Sequence, residues 1–332
     1  MDKGGILMKE YNVSKQESNQ RIDKFIKKCL PNAPLSLIYK VFRKKDVKVN
    51  GKRINNIQYI INEGDHIQIY LPDNALFENN ETIDNLPVTF DVIYEDEHLL
   101  VCNKPVGLLV VEDEKEKVNT LANQVISYLS SKGEYDPQIQ KGFTPAPVHR
   151  IDRNTSGLVL VGKDLQTIQE FTQLFRNHDN LEKEYLALVF GKVLKEGVIN
   201  SSLIKDEKTS LVRVAKHNEN GLSALTKYKP LNYYNNSTLL SVKIKTGRTH
   251  QIRVHMSSVG FPLVGDAKYG DFNANKIVKQ KYGWQFQFLH AHRLKLNGLK
   301  GELSYLNNKI FEAPLPLENK KLLEKLRKKN DD

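Results

Sequence analysis

Residues 145 to 163 constrain this chain more than any other stretch: Pro145-Ala-Pro-Val-His149-Arg150-Ile151-Asp152-Arg153-Asn154-Thr155-Ser156-Gly157-Leu-Val-Leu-Val-Gly162-Lys163. A proline-punctuated loop delivers a histidine, two arginines and an aspartate within five positions, and the apolar run Leu158 to Val161 follows at once. Branched apolar residues held between glycines read as a strand buried on both faces. The polar loop is therefore set at the mouth of a core, with cations on either side of Asp152 that stabilise its anion. Taken alone, the stretch fits a solvated, salt-bridged loop equally well.

Two patterns overlap it and fail on physical grounds. Gly157 to Lys163 matches the front of a phosphate-binding loop, but its four inner residues are Leu-Val-Leu-Val. A phosphate cradle needs irregular backbone with free N–H groups, and Asp164 stands where a magnesium-binding hydroxyl should be. His149-Arg150 followed by Asp152 echoes a kinase catalytic loop, yet the aspartate is one residue late and no Asp-Phe-Gly follows.

The chain is long enough, at 332 residues, for two domains and a full-sized core. Its net charge of +11 favours a polyanionic partner. Cys29 and Cys102 each lie in apolar surroundings and read as reduced core residues. No apolar run approaches the roughly 20 residues that span a bilayer, and the N-terminus lacks the apolar core of a signal peptide. A soluble, cytoplasmic protein is expected, with no membrane partner.

Residues 1–17 are polar and expected to be flexible. From Ser18, apolar residues recur at Ile22, Phe25, Ile26, Cys29 and Leu30, one face of a helix. Ser36 is positioned to cap a second helix carrying Leu37, Ile38, Val41 and Phe42. Asn50-Gly51 marks a hairpin, and Ile67, Ile69 and Leu71 alternate in a closing strand. Residues 18–72 hold eleven Lys and Arg against four Asp and Glu, a net of +7. Residues 73–99 then hold eight acids and no Lys or Arg, so 73–88 read as an acidic linker.

The second domain, 89–328, opens with a hairpin around Glu95 to His98. It continues with a helix carrying Leu121, Val125 and Leu129, and another capped by Asp164. Lys183 to Phe190 is a core strand; spacing alone makes Tyr185 as consistent with packed surface as with function. Polar and apolar residues alternate from Gln251 to Met256, which predicts a strand with Gln251, Arg253 and His255 on one face. The spacings among His250, His255, His290 and His292 fit no helical histidine pair, so no metal is expected.

The run from His149 to Gly157 resembles the active-site signature of the RluA-type pseudouridine synthases, His-Arg-Leu-Asp-x-x-Thr-Ser-Gly, with Ile151 in place of the usual leucine. Asn103-Lys104-Pro105-Val-Gly107, Lys183-Glu-Tyr185-Leu-Ala, Thr246-Gly247-Arg248-Thr-His250-Gln-Ile-Arg253-Val-His255 and Gly265-Asp266-Ala-Lys-Tyr269-Gly270 agree with further motifs of that family, in order, across about residues 20 to 325. The basic N-terminal module resembles the small RNA-binding domain first recognised in ribosomal protein S4.

The resemblance implies an α+β architecture: the S4-like module, then a large mixed, mainly antiparallel catalytic domain with a central cleft. It implies isomerisation of uridine to pseudouridine, without cofactor, in structured RNA. The substrate it favours most is 23S rRNA. Transfer RNA, or a non-catalytic RNA-binding role in ribosome assembly, are the alternatives. Asp152 is the implied catalytic residue, Arg253 its partner, and Tyr185 the aromatic against the target base. Lys104 and Pro105 would shape the cleft floor, and Arg150 would fill the space left by a flipped base. Contacts to RNA are expected from His149, Arg150, Arg153, Arg248 and His250, and from Arg21, Lys40, Arg43, Lys44 and Lys45 in the N-terminal module. The protein is expected to act as a monomer.

Overall fold

The computed structural model describes residues 6–72, 86–177, 180–206, 209 and 211–327. Most of the expected linker, residues 73–85, lies outside them. The N-terminal module contains strands β1 (Ile6–Asn12) and β2 (Gln20–Arg21) and helices α1 (Ile22–Cys29) and α2 (Leu35–Arg43). Strands β3 (Val47–Val49), β4 (Lys52–Arg53), β5 (Ile60–Ile61) and β6 (His66–Pro72) complete it. Ile22, Phe25, Ile26 and Cys29 of α1 close over Ile38, Val41 and Phe42 of α2 and over Val47, Val49, Ile67 and Ile69 of the sheet, forming one core. Burying each such side chain contributes about 1.5–3 kcal/mol.

Three expectations for this module need correction. The N-terminus is not flexible from residue 6 on, because β1 pairs along its whole length with β6, Tyr11 opposite Ile67. The first helix starts at Ile22, since Gln20 and Arg21 pair with Ile61 and Ile60; Ser18 turns its hydroxyl back to the Lys15 carbonyl. The second helix starts at Leu35, so Ser36 lies within its first turn rather than capping it. Asn50 and Gly51 both take positive φ, 50° and 78°, as a tight hairpin turn requires.

The chain from residue 86 on runs through β7 (Asp91–Glu95), β8 (Leu99–Lys104), α3 (Leu121–Ser131), β9 (Ala146–Pro147), β10 (Ser156–Gly162) and α4 (Leu165–Asn177). There follow β11 (Leu181–Phe190), β12 (Gly197–Asn200), β13 (Leu203–Lys205), β14 (Val212–Val214), β15 (Leu225–Tyr234) and β16 (Ser237–Ile244). Helices α5 (Gln251–Ser258) and α6 (Phe272–Tyr282), strands β17 (Leu289–Leu296) and β18 (Ile310–Glu312), and helix α7 (Leu317–Arg327) complete the chain. The large sheet has the order β12-β15-β16-β11-β17-β10-β8-β7, with β9 beside β10 and β18 beside β17. Its pairs are antiparallel except β10 with β17.

The strand after the central loop is buried on both sides for the reason its sequence suggests. Val159 and Val161 pack with Leu121, Val125 and Leu129 of α3. Leu158 and Leu160 point the other way, toward Phe171 and Leu174 of α4. A period of two on a strand between two helices thus feeds two cores.

The expected strand over 251–256 is a helix, α5, entered through His250 at φ 54°. All six residues from Gln251 to Met256 are buried. Ile252 and Met256 face the β11–β16 core, while Val254 faces a smaller one under β13 and β14. A helix packed on every side can show polar–apolar alternation without being a strand. Among the described residues, no helix is long and apolar enough to cross a membrane.

Candidate active site

The central loop enters β10 at the parallel junction with β17, which consists of two residue pairs, Ser156–His290 and Gly157–Ala291. Gly157 has φ +109°, and a Cβ there would lie 2.2 Å from the Ala291 carbonyl oxygen, so only glycine brings the strands this close. The Thr155 N–H donates to the Asp152 carbonyl at 3.0 Å, closing a turn, and Ser156 bonds His290 Nδ1 at 2.9 Å. Asp152 is thereby held at the rim of a cleft that Arg150, Tyr185, Ile244, Arg248, His250 and Arg253 also line.

Arg253 is the electrostatic centre of this cleft. Its Nη1 donates to Asp152 Oδ2 at 2.9 Å, and its Nε and Nη2 donate to the two Asp266 oxygens at 2.7 and 2.8 Å. Arg253, 5% exposed, thus spans two carboxylates with its guanidinium, and Asp266 is wholly buried. Burial opposes the charge of Arg253, but the hydrogen bonds and charge of Asp266, with the charge of Asp152, outweigh it and hold its pKa above the ordinary range. Asp266 also accepts the N–H groups of Lys268 and Tyr269, at 2.8 and 3.1 Å. The Tyr269 hydroxyl bonds His250 Nδ1 at 2.8 Å, leaving His250 Nε2 3.9 Å from Asp152 Oδ2. Burial lowers the His250 pKa, partly offset by Asp152, and favours a neutral ring.

Tyr185 projects from β11 opposite Val242. Burial, followed by the charge of Asp152, pushes its pKa up, so the phenol keeps its proton. Arg150 is exposed at the cleft mouth, and Arg248 is half-buried with its Nε on the Ser223 carbonyl at 3.1 Å.

Other sequence-selected residues lie elsewhere. His149 faces away from the cleft: its ring stacks on Phe175 at 4.3 Å, and its Nε2 accepts the Leu160 N–H at 3.1 Å. Burial pushes its pKa down to about 3. This neutral ring is a packed strut, and the expectation of an RNA contact does not fit its position. Arg153 is exposed, its Nε donating to the Gly107 carbonyl at 3.0 Å while Gly107 N–H donates back to the Arg153 carbonyl at 2.9 Å. Lys40, Arg43, Lys44 and Lys45 stand exposed around the C-terminal end of α2, whereas Arg21 is half-buried and paired with Asp23 at 2.7 Å.

Lys104 braces the site rather than lining it. The fully buried amine donates to the carbonyls of Pro105, Leu108 and Arg153 at 2.9, 2.7 and 3.1 Å. Burial presses its pKa down to about 7 against the pull of Asp152, yet only the ammonium has a proton for every one of those carbonyls. Asp266 and Tyr269 carry no assigned role from the sequence. The signal the sequence offers for them is the motif Gly265-Asp266-Ala-Lys-Tyr269-Gly270, whose Gly265 takes a φ of +80° in the structure. Among the described residues there is no group of three or more His, Cys, Asp or Glu that could hold a metal ion.

The family pattern described as RNA pseudouridylate synthase matches residues 98–258, which include Asp152, Tyr185 and Arg253. An uncharacterized RNA pseudouridine synthase of Mycoplasma capricolum is 33% identical over 315 residues, covering 92% of this chain and 97% of that protein. The chain belongs to the RNA pseudouridine synthase family. This synthase is therefore an isomerase. It is also 34% identical to the ribosomal large subunit pseudouridine synthase C of Vibrio parahaemolyticus, with 96% of each chain covered. Human RNA pseudouridylate synthase domain containing 4 shares the fold, with a TM-score of 0.57 at 23% identity, over 71% of this synthase and 92% of that chain.

Proposed function

We propose that this synthase converts uridine to pseudouridine in large-subunit ribosomal RNA, with Asp152 as the catalytic residue acting on a uridine turned out of its stack. The observation that carries this reading is the Arg253 guanidinium shared between Asp152 and buried Asp266, which holds one carboxylate at the rim of a cleft that Arg150, Tyr185 and Arg248 also line. The large-subunit substrate rests on the similarity to the Vibrio enzyme named for it.

The reaction breaks the bond from uracil N1 to ribose C1′, turns the base and joins C5 to C1′. The C5 proton leaves and N1 gains one, so electrons balance without an oxidant or a cofactor. Asp152 supplies a carboxylate beside the ribose, as nucleophile or as base, and Arg253 compensates its charge in a site closed by RNA. Tyr185 offers a flat face to the uracil and a protonated hydroxyl. Turning the uridine out costs a few kcal/mol, and the planar Arg150 side chain at the cleft mouth is suited to fill the gap. Arg248 and His250 flank the base, and Arg153 lies beyond the rim. The N-terminal module, with its S4-like pattern, positions the enzyme through phosphate contacts from Lys40, Arg43, Lys44 and Lys45. The site belongs to a single chain acting as a monomer in the cytoplasm.

The test is to incubate the purified protein with unmodified large-subunit rRNA and, separately, tRNA, and to score pseudouridine by carbodiimide-blocked primer extension. Stops on rRNA support the reading. Stops on tRNA alone overturn the substrate, and binding without stops on either returns the protein to an assembly role.

A further inference from the structure

Beyond the cleft, the large sheet ends in a basic groove where β11 begins, β15 begins and β16 stops. Lys183, Lys227, Lys243 and Lys245 line it together with one acid, Glu182, and Ile244 lines both the groove and the cleft, so the two are contiguous. Lys183 is 7% exposed. No carboxylate lies within salt-bridge distance of it among the described residues. Its amine stands 5.9 Å from the Phe175 ring centre, and a Cβ built on Gly247 would lie 3.8 Å from it. Burial, followed by the charge of neighbouring Arg248, lowers its pKa to about 8. Lys227 and Lys243 sit directly opposite each other on β15 and β16, and both are exposed.

Like charges directly opposite across an antiparallel pair are destabilising, and a nearly buried ammonium without an acid is more so. The acids nearby relieve little of this. Glu182 is 3.9 Å from Lys295, and Glu184 is 4.0 Å from Lys243 and also 4.0 Å from Arg293. Lys183, Lys227 and Lys243 outnumber Glu182 in the groove lining, and a phosphodiester would supply the missing negative charge.

We propose that the groove is a phosphate-binding track that holds the strand of substrate RNA next to the target nucleotide, with Lys183 gripping the phosphate nearest the cleft and Lys227 and Lys243 those beyond it. The track rests on the reading of RNA as substrate, and it adds a second point of attachment that fixes which nucleotide meets Asp152. Contacts of this kind carry no base information; they set register along the strand.

Two variants test it in the full-length protein: Lys183→Met, which keeps the stem of the side chain, and the exposed pair Lys227→Ser/Lys243→Ser, which leaves every core untouched. The probe for binding is a uridine oligonucleotide, titrated from low to high KCl. For a single strand each lost phosphate contact reduces the slope of log affinity against log salt by about 0.7, so reductions of about 0.7 and about 1.4 are expected. On unmodified large-subunit rRNA, the double variant should raise KM severalfold while kcat stays within about twofold, since uniform binding is what is lost. A control pair on α7, Lys320→Ser/Lys325→Ser, should match wild type in both. Salt slopes and KM unchanged in both groove variants would overturn the track. If the wild type forms no pseudouridine in rRNA, the substrate assignment fails, and the oligonucleotide slopes still decide the groove.

Discussion

Replacing Asp266 by asparagine probes the device that holds Arg253 in place. The amide can keep an oxygen at the Oδ1 position, where it serves Lys268 N–H, Tyr269 N–H and Arg253 Nη2. It places an N–H₂ donor where Oδ2 now accepts the Arg253 Nε proton at 2.7 Å. Both partners are buried, so neither water nor screening repairs the mismatch. Removing one member of a buried ion pair costs about 3–5 kcal/mol. Asp152 remains as a second partner on Nη1, which places the expected loss at the lower end, about 3 kcal/mol. That is a large part of the 5–15 kcal/mol typical of a folded domain. Urea unfolding followed on the single tryptophan, Trp284, reads it directly. Arg253→Met in the same background removes the stranded cation, so the double variant should be more stable than the two single losses predict, by about 2 kcal/mol. If Asp266→Asn unfolds at the wild-type midpoint, or if the losses add to within about 0.5 kcal/mol, the pair does not hold Arg253 and the reasoning is refuted.

Other consequences follow from the same geometry. Lys104→Met strands the carbonyls of Pro105, Leu108 and Arg153 inside the protein, at about 1–3 kcal/mol for each one left unpaired; faster amide exchange across 105–108 and 152–155 checks it, and unchanged exchange refutes it. Gly157→Ala drives a methyl to 2.2 Å from the Ala291 carbonyl oxygen and should cost well over about 3 kcal/mol, seen as a large fall in Tm. Acid should destabilise the fold through buried neutral histidines. Burial lowers the pKa of His290 to about 4 and that of His149 to about 3, so the unfolded chain takes up protons first as pH falls. Stability is therefore complete above about pH 6.5 and declines toward pH 4, by an order of 3 kcal/mol for His290 alone. His290→Gln should flatten that decline in urea midpoints measured between pH 8 and 5.

What was legible in the sequence was local and periodic. Leu158 to Val161 and Leu99 to Cys102 are buried on both faces, so their unbroken apolar runs read directly as central strands. Leu121, Val125 and Leu129 fall on one face of α3, as their spacing requires. The motif residues Asp152, Tyr185 and Arg253 stand out by resemblance, and the fold brings them to one cleft. Pattern misleads where tertiary contact outweighs it. Residues 251–256 are enclosed on all sides, so the face of each side chain carries no polarity signal, and α5 imitates a strand. The first strand depends on a partner far along the chain, β6, that a polar N-terminal segment does not announce. His149 sits among charged neighbours in the chain, yet its ring is claimed by Phe175 and the Leu160 N–H across the core. Asp266 becomes important only because a tight loop returns it beneath Arg253.

The central proposal is that the Asp152 carboxylate performs the isomerisation. Asp152→Asn changes one oxygen of a half-exposed side chain and still offers an acceptor to Arg253 Nη1, so the fold and RNA affinity should stand. The decisive measurement is pseudouridine formation in a single turnover, with variant enzyme in excess over unmodified large-subunit rRNA and binding recorded in the same mixture. The proposal predicts RNA bound as tightly as by wild type and no pseudouridine formed over the longest incubation. Conversion by the variant at a rate within about tenfold of wild type, less than about 1.4 kcal/mol of lost transition-state stabilisation, would contradict it.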